Sequence, residues 1–206
     1  CAAIYCDAID TVNAPGGKLT EEVWNTTASL DYQPYSYSKT LAEKKAWEIA
    51  NAQDRWKLVT INPSFVMGPA LNATTTTSES YSVLKQMGDG SFKTGVPKLG
   101  AGVVDVRDVA EAHFRAGFTP EANGRNICCA ENLSMIKLAD MLRPKYGNDY
   151  PLPKRTAPKW LVWLIAPTAG VTRQYVRDNV GYPWKADNSK IKKELGMEFR
   201  SIDSTI

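Results

Sequence analysis

Pro34-Tyr35-Ser36-Tyr37-Ser38-Lys39-Thr40-Leu41-Ala42-Glu43-Lys44-Lys45-Ala46-Trp47-Glu48 is the stretch on which the reading of this chain turns. Its pattern predicts a helix over Tyr35–Gln53, and Pro34 suits a helix start, where the missing N–H of a proline costs nothing. Ala42, Ala46, Ile49 and Ala50 recur at i, i+4, i+7 and i+8, a narrow face of small residues expected to lie close against a sheet. Tyr35 and Lys39 stand one turn apart, on one side of the helix. A free tyrosine has a pKa of ~10, too high for ready proton exchange at neutral pH. A neighbouring cation favours the phenolate and makes a usable general acid or base. The spacing is not diagnostic by itself, because Tyr81 and Lys85 repeat it and an exposed helical face accounts for either pair.

Outward from this helix, short apolar or β-branched runs at Ala2–Tyr5, Lys57–Asn62, Val103–Val106 and Asn126–Ala130 read as strands. Helical patterns lie between or after them at Ser78–Met87, Val109–Ala116 and Ser134–Tyr146. Alternation of this kind predicts an α/β chain with a parallel sheet. From about Tyr150 the texture changes: Pro151, Pro153, Pro158, Pro167 and Pro183 interrupt the chain, with Trp160, Trp163 and Trp184 among them. This reads as a small irregular lobe, followed by a short helix at Ser189–Leu195. Thr74–Thr77 is expected to be a surface loop.

The 206 residues are 43% hydrophobic and 23% charged, which excludes collagen-like, coiled-coil and disordered classes. A net charge of +3 is too balanced to indicate a nucleic acid or a membrane surface as partner. The apolar run from Trp160 to Pro167 is far short of the ~20 residues a membrane helix needs. Four cysteines (Cys1, Cys6, Cys128, Cys129) and one histidine, His113, contain no CxxC pair and offer no zinc ligand set, so no metal is expected. The adjacent Cys128 and Cys129 in an apolar run read as buried thiols of a reducing cytosol. The first residue is Cys1 and not Met, as though the chain were cut from something longer.

The run from Tyr35 to Glu48 resembles the catalytic helix of the extended short-chain dehydrogenase/reductase family. It is most similar to the branch of dihydroflavonol reductases, cinnamoyl-CoA reductases and fungal aldehyde/ketone reductases. Further stretches follow in the family's order. Thr60-Ile61-Asn62-Pro63-Ser64-Phe65-Val66-Met67-Gly68-Pro69 resembles the strand and loop beside the nicotinamide. Val104-Asp105-Val106-Arg107-Asp108-Val109-Ala110-Glu111-Ala112-His113 is similar to the family's mid-chain strand-to-helix turn. Asn179-Val180-Gly181-Tyr182-Pro183 and Asp187–Lys190 with Glu194-Leu195-Gly196 resemble its C-terminal segments. No such signature surrounds Tyr81, which leaves that pair on a solvated helix.

The resemblance implies a Rossmann-like, doubly wound parallel sheet whose N-terminal part is missing, with a smaller C-terminal substrate-binding lobe. Residues 1–68 would be the C-terminal part of the dinucleotide-binding domain with the catalytic helix. Residues 69–102 would be an excursion toward the substrate lobe, 103–146 a strand-helix return to the sheet, and 147–206 mainly the substrate lobe, short of the family's last helix. The implied activity is NAD(P)H-dependent reduction of an aldehyde, a ketone or a dihydroflavonol-like carbonyl, with NADP(H) favoured over NAD(H). Tyr35 would protonate the carbonyl oxygen, and Lys39 would lower the phenol's pKa and bond the nicotinamide ribose. Pro63, Ser64 and Val66 would touch the nicotinamide or ribose through backbone, or else simply end a strand. Ser78 would meet the cofactor's phosphate edge, or else only cap a helix.

The family serine that holds the substrate oxygen would immediately precede Cys1. Gly100-Ala101-Gly102 is expected to be a loop and not the glycine-rich pyrophosphate turn. The 206-residue chain alone is therefore expected to bind dinucleotide negligibly and to be inactive. The implied setting is cytoplasmic, with a small carbonyl or alcohol as substrate and no nucleic-acid or membrane partner. Two other readings share the fold: a nucleotide-sugar epimerase or dehydratase, which also uses the Tyr/Lys pair, and a non-catalytic dinucleotide sensor, which typically lacks it. His113 is expected in the core or at the surface, and Asp105, Arg107 and Asp108 as turn, cap and salt-bridge residues. The three tryptophans are expected to pack the small lobe's core or, alternatively, to line a substrate pocket.

Overall fold

A computed structural model describes residues 1–70 and 78–206, so the Thr74–Thr77 loop lies outside the described residues. The helix of the opening stretch is α2, Pro34–Asn51, preceded by a shorter helix α1 at Ala8–Asn13. Pro34 occupies its first turn, and Gln33 before it takes φ 56°, a left-handed kink that sets the entry angle. Then follow β1 (Val59–Pro63), β2 (Phe65–Met67), α3 (Glu79–Gly88), β3 (Val96–Pro97), β4 (Gly100–Asp105) and α4 (Val106–Phe118). The chain continues through β5 (Gly124–Cys128), β6 (Glu131–Ser134), α5 (Met135–Tyr146), β7 (Thr156–Ala157), α6 (Lys159–Ile165), α7 (Arg173–Asn179) and α8 (Ser189–Leu195).

The α/β class is as expected, but the described strands do not form one parallel sheet. β1 runs parallel to β5, with Val59 opposite Gly124 and Pro63 opposite Cys128. Pro63 has no N–H to carry a ladder further; the Ser64 N–H donates to the Cys128 carbonyl and the chain changes neighbour. β2 then pairs in parallel with β4, and β3 with β7. β6 lies antiparallel to β4, an element the apolar pattern does not reveal because Leu133 is its one buried side chain. The result is a Rossmann-like α/β fold with mixed parallel and antiparallel pairing.

Other expectations are corrected with it. Ala2–Tyr5 is a turn and not a strand: the N–H groups of Ile4 and Tyr5 both close back on the Cys1 carbonyl, while Asn25 and Arg125 occupy the carbonyls of Ala2 and Ala3. Gly100-Ala101-Gly102 is strand and not loop. A Cβ on Gly102 would lie 2.2 Å from the Trp184 ring, so glycine is what lets the indole cover β4. α4 begins at Val106 because the Asp105 carboxylate accepts the Arg107 N–H and caps it. The face of α2 turned inward carries Thr40 and Ala50, while Ala42 and Ile49 face outward. Glu43 takes the place of the expected small residues, because Arg125 meets its carboxylate beneath the helix.

Four apolar clusters hold these elements. Met67, Met87, Val103, Leu133 and Leu138 lie on one side of β2 and β4, while Val104, Ala112, Cys128, Ile191 and Leu195 gather beneath α4 and α8. Ile4, Leu19, Ile127, Cys129 and Trp184 form a third cluster, with Tyr5 edge-on to Trp184 at 5.5 Å. Val162, Ala166, Val176 and Val180 join α6 to α7. Trp184 is therefore core, but Trp160 and Trp163 are exposed, since Val162 supplies the inward face of their short helix and Ala166 packs just after it. His113 is at the surface, its Nδ1 2.8 Å from the Val109 carbonyl oxygen. Asp105 pairs with Arg107 and Asp108 with Arg200, in the structural roles expected of them. Cys6, Cys128 and Cys129 are buried free thiols, and burial pushes Cys128 up to about 12. Among the described residues no helix is long and apolar enough to cross a membrane.

Candidate active site

Tyr35 and Lys39 occupy the first two turns of α2, and both are exposed, Tyr35 by 67%. The Lys39 Nζ lies 5.5 Å from the centre of the Tyr35 ring, so helix geometry holds the cation beside the phenol without external support. Ser38 between them turns its hydroxyl onto the Tyr35 carbonyl.

One turn further the helix goes inward. The Glu43 carboxylate accepts from Arg125 Nε at 2.7 Å, Asn62 Nδ2 at 2.9 Å, Thr60 Oγ1 at 3.1 Å and Trp47 Nε1 at 3.3 Å. Burial opposes its charge, yet Arg125 and Asn62 hold Glu43 below its usual range. Asn62 immediately precedes Pro63 and Ser64, so this carboxylate connects the Tyr35/Lys39 helix to the end of β1. Ser64 bonds the Cys128 carbonyl oxygen through both its N–H and its hydroxyl. The Val66 side chain packs inward against the Val104 cluster, so only its backbone is offered outward. Ser78 caps α3, accepting the Tyr81 N–H at 3.3 Å; among the described residues no hydrogen bond joins it to Tyr35 or Lys39.

A second buried carboxylate stands before α2. Asp7 accepts from the Tyr32 hydroxyl at 2.9 Å and from Asn179 Nδ2 at 2.5 Å, while Asn179 Oδ1 accepts the Ala8 N–H. Burial pushes Asp7 above its usual range despite these donors, and burial with the Asp7 bond pushes Tyr32 up. Tyr32 therefore keeps its proton and ties the segment leading into α2 to α7. Neither Asp7 nor Arg125 is singled out by spacing; an arginine inside the strand Gly124-Arg125-Asn126-Ile127-Cys128 is the one signal that a buried partner was needed. A groove of about 600 Å³ lined by Trp56, Val59, Ile61, His113 and Phe118 lies between β1 and α4, and neither Tyr35 nor Lys39 borders it.

The fold is a Rossmann-like α/β arrangement with an exposed Tyr35/Lys39 pair at the start of α2. No family model matches the chain. Among curated proteins it is 34% identical over 168 residues to a cinnamoyl-CoA reductase of Medicago truncatula, covering 82% of this chain and 43% of that protein. It is 30% identical over 216 residues to the NADPH-dependent methylglyoxal reductase of Saccharomyces cerevisiae, covering 98% of this chain and 59% of the relative. The solved structure of the yeast methylglyoxal/isovaleraldehyde reductase complexed with NADPH aligns with a TM-score of 0.67 at 28% identity, over 99% of this chain and 58% of that one. The chain thus spans about half the length of the curated relatives it matches. It belongs to the extended short-chain dehydrogenase/reductase superfamily, related to the cinnamoyl-CoA, methylglyoxal and anthocyanidin reductases.

Proposed function

We propose that this chain carries the catalytic tyrosine and lysine of an NAD(P)H-dependent reductase acting on small aldehydes or ketones, with NADPH as the reductant. The observation that carries the reading is the exposed Tyr35 beside the Lys39 ammonium, on a helix tied through Glu43 to the end of β1. The donor set suits the nicotinamide-ribose end of a dinucleotide: an exposed ammonium and phenol on one helix face, on a helix bonded through Glu43 to a strand end. When bound, the dinucleotide supplies the hydride. Tyr35 donates its proton to the carbonyl oxygen, and the ammonium of Lys39 stabilises the phenolate left behind. Lys39 also bonds the ribose hydroxyls, while Pro63, Ser64 and Val66 offer backbone to the nicotinamide and Ser78 a hydroxyl toward the phosphates. Preference for NADPH is supported by one relative, the yeast methylglyoxal reductase, which is named as NADPH-dependent and whose solved structure is a complex with NADPH.

The test is oxidation of NADPH and of NADH, followed optically, by the intact protein that contains this chain, with a panel of aldehydes, ketones and cinnamoyl thioesters. Turnover of at least one carbonyl, faster with NADPH, is expected. Conversion of a nucleotide sugar without net NADPH consumption would instead establish the epimerase alternative.

A further inference from the structure

Glu43 and Arg125 are the most heavily engaged charged side chains in the described structure, and the proton-transfer scheme uses neither. Their side chains are 9% and 7% exposed. Arg125 spends all three of its nitrogens. Nε meets Glu43 Oε1 at 2.7 Å, Nη1 donates to the carbonyls of Glu21 at 2.8 Å and Val23 at 2.6 Å, and Nη2 reaches the Ala3 carbonyl and Glu43 Oε2, each at 3.3 Å. The guanidinium carbon Cζ lies 3.8 Å from the centre of the Trp24 ring, a cation–π contact. Asn25, next to Trp24, returns its own N–H to the Ala3 carbonyl at 3.0 Å and its amide to Ala2. On the other side, Glu43 holds Asn62 and Thr60 of β1.

A single ion pair therefore touches five segments: the Tyr35/Lys39 helix, the end of β1 at Asn62-Pro63, the turn at Cys1–Tyr5, the stretch Glu21–Trp24, and β5. Replacing a buried ion pair by apolar groups of similar volume is often neutral for stability, so bulk stabilisation does not account for one this elaborate. We propose that Glu43–Arg125 is a positioning pair, which sets the Tyr35/Lys39 turn in register with the strand end that faces the substrate. This rests on the reductase reading of Tyr35 and Lys39. The fork of Arg125 is suited to the task because its donors have fixed mutual angles, so the segments they hold cannot shift independently.

The experiment compares the native protein with the double variant Glu43→Leu/Arg125→Met, which removes both charges and leaves no unpaired one. It reads melting temperature, steady-state kinetics, and amide exchange at Asn25, Lys39, Thr40 and Ser64. Expected are a melting temperature close to the native one, exchange at those amides faster by about tenfold or more, and kcat lower by about 100-fold with KM nearly unchanged. Should the double variant not fold, Arg125→Lys replaces it, keeping the charge opposite Glu43 but losing the fork; the same readings are expected. Turnover within threefold of native, or unchanged protection of the four amides, overturns the proposal. If the intact protein reduces no carbonyl with either dinucleotide, the reductase reading fails, and amide protection alone then decides whether the pair holds these segments in register.

Discussion

At the start of α2, Tyr35 is 67% exposed, and the Lys39 ammonium beside it comes from the next turn of the same helix. One turn beyond Lys39, Glu43 is buried and accepts from four other side chains. The first region keeps its polar groups free for a substrate and a cofactor. The second has almost no freedom left. A phenol that must donate and recover a proton cannot be locked into permanent hydrogen bonds, so its placement has to come from elsewhere in the helix. The contrast teaches that the reactive turn is held by an anchor one turn away.

The largest effect should come from breaking the anchor. Arg125→Met leaves the Glu43 carboxylate buried without its cation, and a loss of roughly 3–5 kcal/mol in unfolding free energy is expected, readable by denaturant titration. An unchanged midpoint would mean that the buried region is not what holds the helix. Lys39→Ala acts in the exposed region and should leave the denaturation midpoint nearly untouched. It should weaken NADPH binding by about tenfold or more, since a charged hydrogen bond is worth roughly 1.5–3 kcal/mol. Fluorescence titration with unchanged affinity would refute its ribose role.

Acid should remove the stabilisation that a depressed carboxylate pKa supplies. The Arg107 side chain, bonded to Asp105 against the cost of burial, holds that carboxyl at about 2, below the ~3.9 of an unfolded aspartate. A depressed folded pKa stabilises above the unfolded value, so this contribution is complete above about pH 4. It disappears as the pH falls toward 2, taking roughly 2 kcal/mol with it. Asp105→Asn should flatten that part of the stability-pH curve, and a curve identical to the native one would dismiss the assignment. The smallest effect belongs to Trp160→Ser, expected within about 0.5 kcal/mol because the indole is 68% exposed.

Much of the fold was legible because helices and strands reported their own periodicity. α2, α3, α4 and α5 lie where the helical patterns put them, to within a few residues. What spacing could not report was choice of partner. The run Ala2–Tyr5 has strand composition, but Asn25 and Arg125 take the carbonyls a ladder would need. Gly102 looks like a loop residue until Trp184, 82 positions away, is seen lying on it. The inward face of α2 was misjudged for the same reason, because Glu43 reads as solvated until Arg125 is placed beneath it. Tyr35 and Lys39 were legible since their pairing is local to one helix. Asp7, Tyr32 and Asn179 were not, being joined only by the fold.

The central claim is that the Tyr35 hydroxyl is the proton donor. The most direct measurement compares kcat for NADPH-dependent carbonyl reduction in the native protein and in Tyr35→Phe, with NADPH affinity and melting temperature measured on the same samples. Loss of the phenolic proton alone should cut turnover by about 10²–10⁴-fold while both controls stay near their native values. A variant that turns over at close to the native rate would contradict the account.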